Sequence, residues 1–82
     1  LAADQQLLHV RQCMSELTER ELEVMSWVIT GAMNKQIAAE LNVVEKTVKV
    51  HRARVLEKMQ AGSVAELVRL CALVGFEAAK PS

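Results

Sequence analysis

The sequence predicts an all-α fold, with four helices that follow a linker helix or extension. Of its 82 residues 51% are hydrophobic, but only three are glycine and one is proline, so the chain can form a core with few breaks. The apolar residues recur at intervals of three and four, which is the helical period. Capping boxes and glycines stand at the expected helix ends. Because aromatic residues are scarce, the core should be aliphatic.

The first segment, residues 1–16, is predicted to be an interdomain linker. Apolar residues form a weak amphipathic pattern over residues 5–14, with no strong cap. This pattern fits a linker helix that enters from an upstream domain, and it fits an end segment packed against nothing equally well. The chain starts without an initiator Met, which suggests that it was cut from something longer. The domain proper is expected over residues 17–76, and a C-terminal tail over 77–82.

The first helix of the domain is predicted to begin at a capping box formed by Thr18 and Glu21. In this motif the Thr18 hydroxyl accepts a hydrogen bond from the Glu21 amide, and the Glu21 carboxylate reaches back to the Thr18 amide. Leu17 and Leu22 can pack around the box as a hydrophobic staple. Gly31 fits a left-handed C-terminal stop after the helix. The capping box gives Glu21 a structural role, which we favour over a chemical one.

A second helix is predicted over residues 34–41, with a turn at Asn42, and a third over about 45–60. The inner stripe of the third helix is predicted to contain Val48, His51 or Arg52, Val55 and Met59. A short helix, a tight turn and a longer basic helix form the arrangement of a helix-turn-helix, whose second helix lies in the DNA major groove. Periodicity alone also fits an ordinary helical bundle.

A fourth helix is predicted to begin at a second capping box, Ser63 with Glu66, and to end at Gly75. Its apolar residues cover most of its circumference, which is more than one side of a small core can use. Part of this surface is therefore expected to lie at an interface.

Charge is unevenly distributed along a chain whose formal net charge is zero. Net charge therefore does not favour nucleic-acid binding. However, the segment from Lys46 to Lys58 carries five basic residues against Glu57, and the segment from Glu16 to Glu23 is acidic. One face of the domain could therefore meet an anionic partner, although a basic helix is also common as a plain solvated surface.

The third helix has the side chains that groove reading needs. Lys49 can donate to guanine O6 and N7, and Val50 can contact a thymine methyl group. Thr47 is suited to a phosphate oxygen. These residues lie near the N-terminal end of the helix, where recognition helices contact base edges.

Several sequence blocks, in the right order and spacing, resemble the LuxR-type helix-turn-helix domains. The blocks are LTERELEVM over residues 17–25, NKQIA over 34–38 and TVKVH over 47–51. The run VHRARVLEKM, over residues 50–59, resembles most closely the FixJ branch of the NarL/FixJ two-component response regulators. The resemblance extends over about residues 17–74.

The resemblance implies a DNA-binding effector domain that follows an N-terminal receiver domain and binds double-stranded promoter DNA as a homodimer to control transcription. The base contacts that we expect are Lys49, Val50, Arg52, Ala53 and Arg54. The expected phosphate contacts are Asn34, Lys35, Lys46, Thr47, His51 and Lys58. The fourth helix is the family's dimerisation element, and the expected interface residues are Val64, Val68 and Cys71.

The sequence departs from the family pattern at three positions. Ala53 stands at a groove-facing position that is often basic or polar, which shifts polar base contacts toward the neighbouring basic residues. Met33 and Val44 replace the small hydroxyl residue or proline that usually precedes the second and third helices. The side chains of Asn34 and Glu45 are expected to take over as caps. Neither departure is expected to prevent folding, because a missing cap costs only about 1 kcal/mol.

An enzyme is not expected from these residues. Two unpaired Cys, two distant His and the lack of a glycine-rich phosphate loop provide no catalytic set. His9 and Cys13 are spaced by four residues, but two ligands alone make a poor metal site. Neither a metal nor another cofactor is therefore expected.

Two alternatives remain open at this point. The chain could be a helical protein-interaction module that contacts RNA polymerase or a regulatory domain, or it could be the DNA-binding domain of an autoinducer-responsive regulator. DNA binding through phosphates should weaken steeply with salt, whereas an apolar interface should not. Free thiols and the lack of a membrane-length apolar stretch predict a soluble, cytoplasmic protein with no membrane partner.

Overall fold

A computed structural model describes residues 2–80 as five helices, and within that range no strand is formed. The helices are α1 (Ala2–Ser15), α2 (Glu19–Val28), α3 (Asn34–Leu41), α4 (Glu45–Lys58) and α5 (Val64–Leu73). The predicted all-α class is confirmed: α1 lies where a linker helix or extension was predicted, and α2 to α5 correspond to the four predicted helices.

The start of α2 has the predicted capping box. Thr18 Oγ1 accepts from the Glu21 amide at 3.1 Å, and Glu21 Oε1 accepts from the Thr18 amide at 2.9 Å. After the helix, Gly31 adopts a φ of +87°, in the left-handed region that favours glycine. A Cβ atom at Gly31 would meet nothing within 4 Å, so this position needs glycine because of its backbone conformation and not for lack of space.

The turn between α3 and α4 is built by Asn42, as predicted. Asn42 has a φ of +55°, and the Val43 amide donates to the Ala38 carbonyl at 3.0 Å. This pairing closes the end of α3, since a left-handed residue lets the following amide reach back to an otherwise unpaired carbonyl. Asn is one of the few residues that adopt this conformation at modest cost.

The predicted caps of α3 and α4 are wrong. Gln36 and not Asn34 caps α3, because Gln36 Oε1 accepts from the Met33 amide at 2.8 Å. The Asn34 side chain accepts from α4 instead. Within residues 2–80, no side chain forms a cap hydrogen bond at Val44, so Glu45 does not replace the missing hydroxyl.

The second capping box is only half formed. Ser63 Oγ accepts from the Glu66 amide at 3.1 Å, as predicted. Glu66 Oε2, however, accepts from the amide of Gly62 at 3.2 Å and not from that of Ser63. Glu66 therefore ties down the residue before the cap, and α5 still begins at the predicted place. Gly75 follows the helix with a φ of +72°.

The core lies between α2, α3, α4 and α5. Its fully buried apolar side chains are Val24, Met25, Val28, Ile37, Val48, Val55, Leu67 and Cys71. They lie at helical spacing on each element, so every helix contributes one apolar face, as the periodicity predicts.

Helix α1 packs onto the domain and is not a loose end segment. Val10 is 2% exposed and Cys13 is 7% exposed, and both belong to the core cluster. His9 Nε2 lies 3.2 Å from Gln60 Oε1, which places the middle of α1 beside the end of α4. Gln60 has a positive φ of 56°, so α4 ends at Lys58 and not at the predicted residue 60.

Part of the predicted C-terminal tail returns onto the domain, because the Ala79 amide donates to the Ser26 carbonyl at 2.9 Å. Just before the tail, Phe76 packs against the core. Across residues 2–80, no helix is both long and apolar enough to cross a membrane.

Candidate nucleic-acid interface

One side of α4 is buried and the other is open. Val48, Val55 and Met59 are at most 2% exposed and form the predicted inner stripe. The residues on the opposite side are exposed, and we call this surface the outer face of α4. It consists of Lys46, Lys49, Val50, Ala53 and Arg54. Each residue advances about 100° around a helix, so these five positions share one broad side.

The outer face of α4 combines charge with two small apolar side chains. Lys46, Lys49 and Arg54 are its cations, while Val50 is 43% exposed and Ala53 is also exposed. All five residues lie in the first ten residues of α4. A long helix with exposed cations near its N-terminus can approach a phosphate backbone and place short side chains against base edges.

Thr47 and His51 form one shoulder of α4, between the outer face and the core, and both are half-buried. They are one helical turn apart, so they can approach the same stretch of a partner. Among the described residues, His51 Nδ1 is buried without a hydrogen-bond partner. The other ring nitrogen, Nε2, is therefore the one left to bind a group outside the domain.

The start of α3 adds a second potential anion-binding surface. Lys35 is exposed and Asn34 is half-buried, and both lie in the first turn of α3. The first amides of a helix have no intrahelical acceptor, and the helix dipole makes this end positive. Such an end binds phosphate readily, especially beside a lysine.

Arg52 differs from the other predicted base contacts. It is half-buried, and its Nη1 donates to Asn34 Oδ1 at 3.2 Å. It follows Val48 by four residues and precedes Val55 by three, so it lies on the inner side of α4 and not on the outer face.

Lys58, predicted to contact phosphate, is paired inside the domain. Its Nζ donates to Glu21 Oε1 at 2.7 Å and to the Glu16 carbonyl at 3.1 Å. The Glu21 residue is 1% exposed. The hydrogen bond from Lys58, together with that from the Thr18 amide, lowers the pKa of Glu21 although burial opposes this. Lys58 therefore neutralises a buried carboxylate that joins the start of α2 to the end of α4.

Local spacing does not predict the partner of Glu21 in this ion pair, because Glu21 and Lys58 are 37 residues apart. Local spacing explained Glu21 fully as a capping residue. The one hint is helical spacing: Glu21 precedes Val24 and Met25 by three and four residues, which puts it on the apolar face of α2, where a buried carboxylate needs a partner.

The three predicted interface residues of α5 lie in different environments. Val68 is 41% exposed and Val64 is half-buried, so both can meet a partner. Cys71 is 1% exposed and belongs to the core, so the prediction that it contacts a partner is wrong. Burial raises the pKa of the Cys71 thiol to about 11, which keeps it protonated and unreactive at neutral pH.

Residues 15–71 match the family described as bacterial regulatory proteins, luxR family. The match includes all of α2, α3 and α4 and most of α5. The chain belongs to the luxR family of bacterial regulatory proteins. The predicted LuxR-type helix-turn-helix is thereby confirmed, together with its assignment to DNA-binding regulation of transcription.

Relatives of this LuxR-type domain include response regulators. The chain is 56% identical over 57 residues to the tetrathionate response regulatory protein TtrR of Salmonella typhimurium, covering 70% of the chain and 28% of that protein. It is 45% identical over 67 residues to the transcriptional regulatory protein FixJ of Rhizobium meliloti, covering 82% of the chain and 33% of FixJ. The predicted closeness to the FixJ branch is confirmed.

The same relationship holds for a solved structure. Full-length FixJ from B. japonicum superposes with a TM-score of 0.79 at 38% identity, covering 90% of this chain and 36% of FixJ. The LuxR-type domain thus spans about a third of the length of the relatives that it matches.

Proposed function

We propose that this LuxR-type domain binds promoter DNA with the outer face of α4 in the major groove. The observation that carries the proposal is the division of α4 into a buried apolar stripe and an exposed side with cations near its N-terminal end. A helix packed on one side and basic on the other can enter the groove without disturbing the core.

Base readout is assigned to the exposed residues of this face. Lys49 supplies hydrogen bonds to guanine, and Val50 and Ala53 supply apolar contact with thymine methyl groups. Arg54 is exposed at the far end of the face and can reach a neighbouring guanine or the backbone. Because Ala53 carries no polar group, most of the hydrogen-bonded specificity rests on Lys49.

Phosphate binding is assigned to the residues that flank the groove-facing side. They are Asn34 and Lys35 at the start of α3, and Lys46, Thr47 and His51 on α4. The uncapped amides at the start of α4 favour the same ligand, because within residues 2–80 no side chain satisfies them at Val44.

The remaining partners belong to the whole protein. Response regulators such as TtrR match only through this domain, so we propose an N-terminal receiver domain joined through α1. A homodimer on two-fold related DNA would use α5, through Val64 and Val68. RNA polymerase can contact the surfaces that DNA leaves free, and the cytoplasm is where such a protein acts. Regulation of transcription, and not enzymatic turnover, is the proposed activity.

The test is selection of DNA from a random duplex pool by the 82-residue chain, followed by titration of the enriched duplex at several salt concentrations. The logarithm of the affinity should fall steeply with the logarithm of the salt concentration, by about 0.9 per phosphate neutralised. Lys49→Ala should relax the preference for guanine at one position by about 1–3 kcal/mol. Lys80→Ala, which removes an exposed lysine outside the proposed interface, should leave the preference unchanged.

Binding without salt dependence, or no enrichment by the wild type, would contradict the proposed function. Either result would favour an apolar protein-interaction surface instead, for which Val68 on α5 is the exposed candidate.

A further inference from the structure

Arg52 lies on the wrong side of α4 to read bases. The inner stripe of α4 consists of Val48, Arg52, Val55 and Met59, which are separated by four, three and four residues. The three apolar members are at most 2% exposed, and Arg52 is half-buried among positions of the same stripe. Lys49, the nearest residue of the outer face, is about 60° away around the helix. The half-buried Arg52 guanidinium leaves α4 toward α3, where it contacts Asn34.

The guanidinium of Arg52 is hydrogen-bonded to Asn34, the first residue of α3. Its Nη1 donates to Asn34 Oδ1 at 3.2 Å, across 18 residues of sequence. The preceding residue, Met33, is the N-cap of α3, and among residues 2–80 its side chain forms no cap hydrogen bond. The Arg52–Asn34 hydrogen bond links the start of α3 directly to the recognition helix.

This bond also sets which way the Asn34 amide faces. A guanidinium has only donors, so the amide oxygen of Asn34 must face Arg52 and the NH₂ group is left for another acceptor. Asn34 is half-buried in the first turn of α3, beside exposed Lys35. A phosphate oxygen, which is an acceptor only, fits this set of donors.

We propose that Arg52 is a positioning residue, which orients the Asn34 amide as a donor to a DNA phosphate and contacts neither base nor phosphate itself. This inference rests on the proposed function. Arg52 then contributes to affinity for every DNA sequence alike, through Asn34, and leaves the base preference to the outer face of α4.

The experiment measures affinity, salt dependence and base preference for a set of variants on the duplex enriched from the random pool. Arg52→Ala and Asn34→Ala should each weaken binding about tenfold, as expected for one hydrogen bond to a charged group. The double variant should bind DNA no more weakly than the weaker-binding of the two single variants, because both changes remove the same contact. The salt slope of Arg52→Ala should equal that of the wild type.

Two further variants separate positioning from simple support of the fold. Asn34→Asp keeps an acceptor for Arg52 but replaces the NH₂ donor with an oxygen, so it should retain wild-type stability to urea and bind DNA more weakly than Asn34→Ala. Arg52→Lys keeps a donor and should recover part of the affinity lost in Arg52→Ala. If Arg52→Ala does not fold by circular dichroism, these two variants alone decide the question.

The inference is overturned if Arg52→Ala changes the preferred base at any one position, because that result identifies a base reader. It is also overturned if the salt slope of Arg52→Ala falls by about 0.9, which identifies a phosphate contact. Wild-type affinity for Asn34→Asp would equally refute it. Failure of the wild-type chain to bind with salt dependence is a different result, since it removes the proposed function itself.

Discussion

Loss of Lys58 should destabilise the domain much more than loss of an exposed lysine or arginine. In Lys58→Met the Glu21 carboxylate, which is 1% exposed, still accepts a hydrogen bond from the Thr18 amide but loses its ion pair with Lys58. Breaking a buried pair from one side costs about 3–5 kcal/mol. Because the Lys58 side chain is 33% exposed, water can partly replace it. We therefore expect a loss of about 2–3 kcal/mol in the free energy of unfolding, which is at or just below the lower limit of that range.

The assay is urea unfolding followed by circular dichroism, with thermal unfolding as a second measurement. A loss of this size lowers the Tm of a domain of this length by roughly 10–20 °C. Glu21→Gln should cost less, about 1 kcal/mol, because the amide oxygen still accepts from Thr18 and the freed Lys58 is partly solvated. The matched control is Arg20→Ala, which removes an exposed pair with Glu23 at 3.5 Å and should cost less than about 0.5 kcal/mol.

The difference in stability between the wild type and Lys58→Met should also depend on pH, and the pKa of Glu21 determines whether it grows or shrinks as pH falls. Its pKa is lowered in the folded state, so the stabilisation is fully present above the unfolded pKa, roughly 4.3, and is lost as pH falls through the folded value. The gap between wild type and Lys58→Met should therefore be constant at neutral pH and shrink below about pH 4. Equal losses in Lys58→Met and Arg20→Ala at pH 7 would refute the reasoning.

Two other predictions concern packing and backbone conformation. Val10→Ala should lower the free energy of unfolding by roughly 1–3 kcal/mol because this α1 side chain is 2% exposed, whereas Leu8→Ala, at a position 59% exposed, should change it by less than about 0.5 kcal/mol. Equal effects in urea unfolding would show that α1 is not part of the folded unit. Gly31→Ala should cost about 1–2 kcal/mol from its positive φ alone, while Gly62→Ala, without a positive φ, should be near neutral. A neutral Gly31→Ala in the same assay would argue against the left-handed conformation.

Local chemistry made most of the fold predictable. Thr18 and Glu21 form their capping box, and Gly31, Asn42 and Gly75 end helices with positive φ, because each motif depends on residues only a few positions apart. The caps of α3 were mispredicted for the opposite reason. Asn34 is a good cap by type, but a partner 18 residues away occupies it, and Gln36 takes its place.

The candidate site also has features that local spacing predicts and features that depend on contacts between helices. The outer face of α4 follows from helical spacing, so Lys49, Val50 and Ala53 lie where the sequence predicts exposure. Arg52 and Lys58 were grouped with them by charge, but charge does not tell which way a side chain leaves the helix. Their partners, Asn34 and Glu21, come from other helices, and only the packing of α2 and α3 on α4 brings them within reach.

The packing of α1 has a consequence for the construction of chimeric regulators. A designer who joins a foreign sensory domain to this one would be guided by the family match, which begins at residue 15, and would discard α1 as spacer. That cut removes Val10 and Cys13 and leaves a hole in the core. A junction placed before α1 keeps Val10 and Cys13 in the core, so the foreign domain is attached to a domain that is still fully packed.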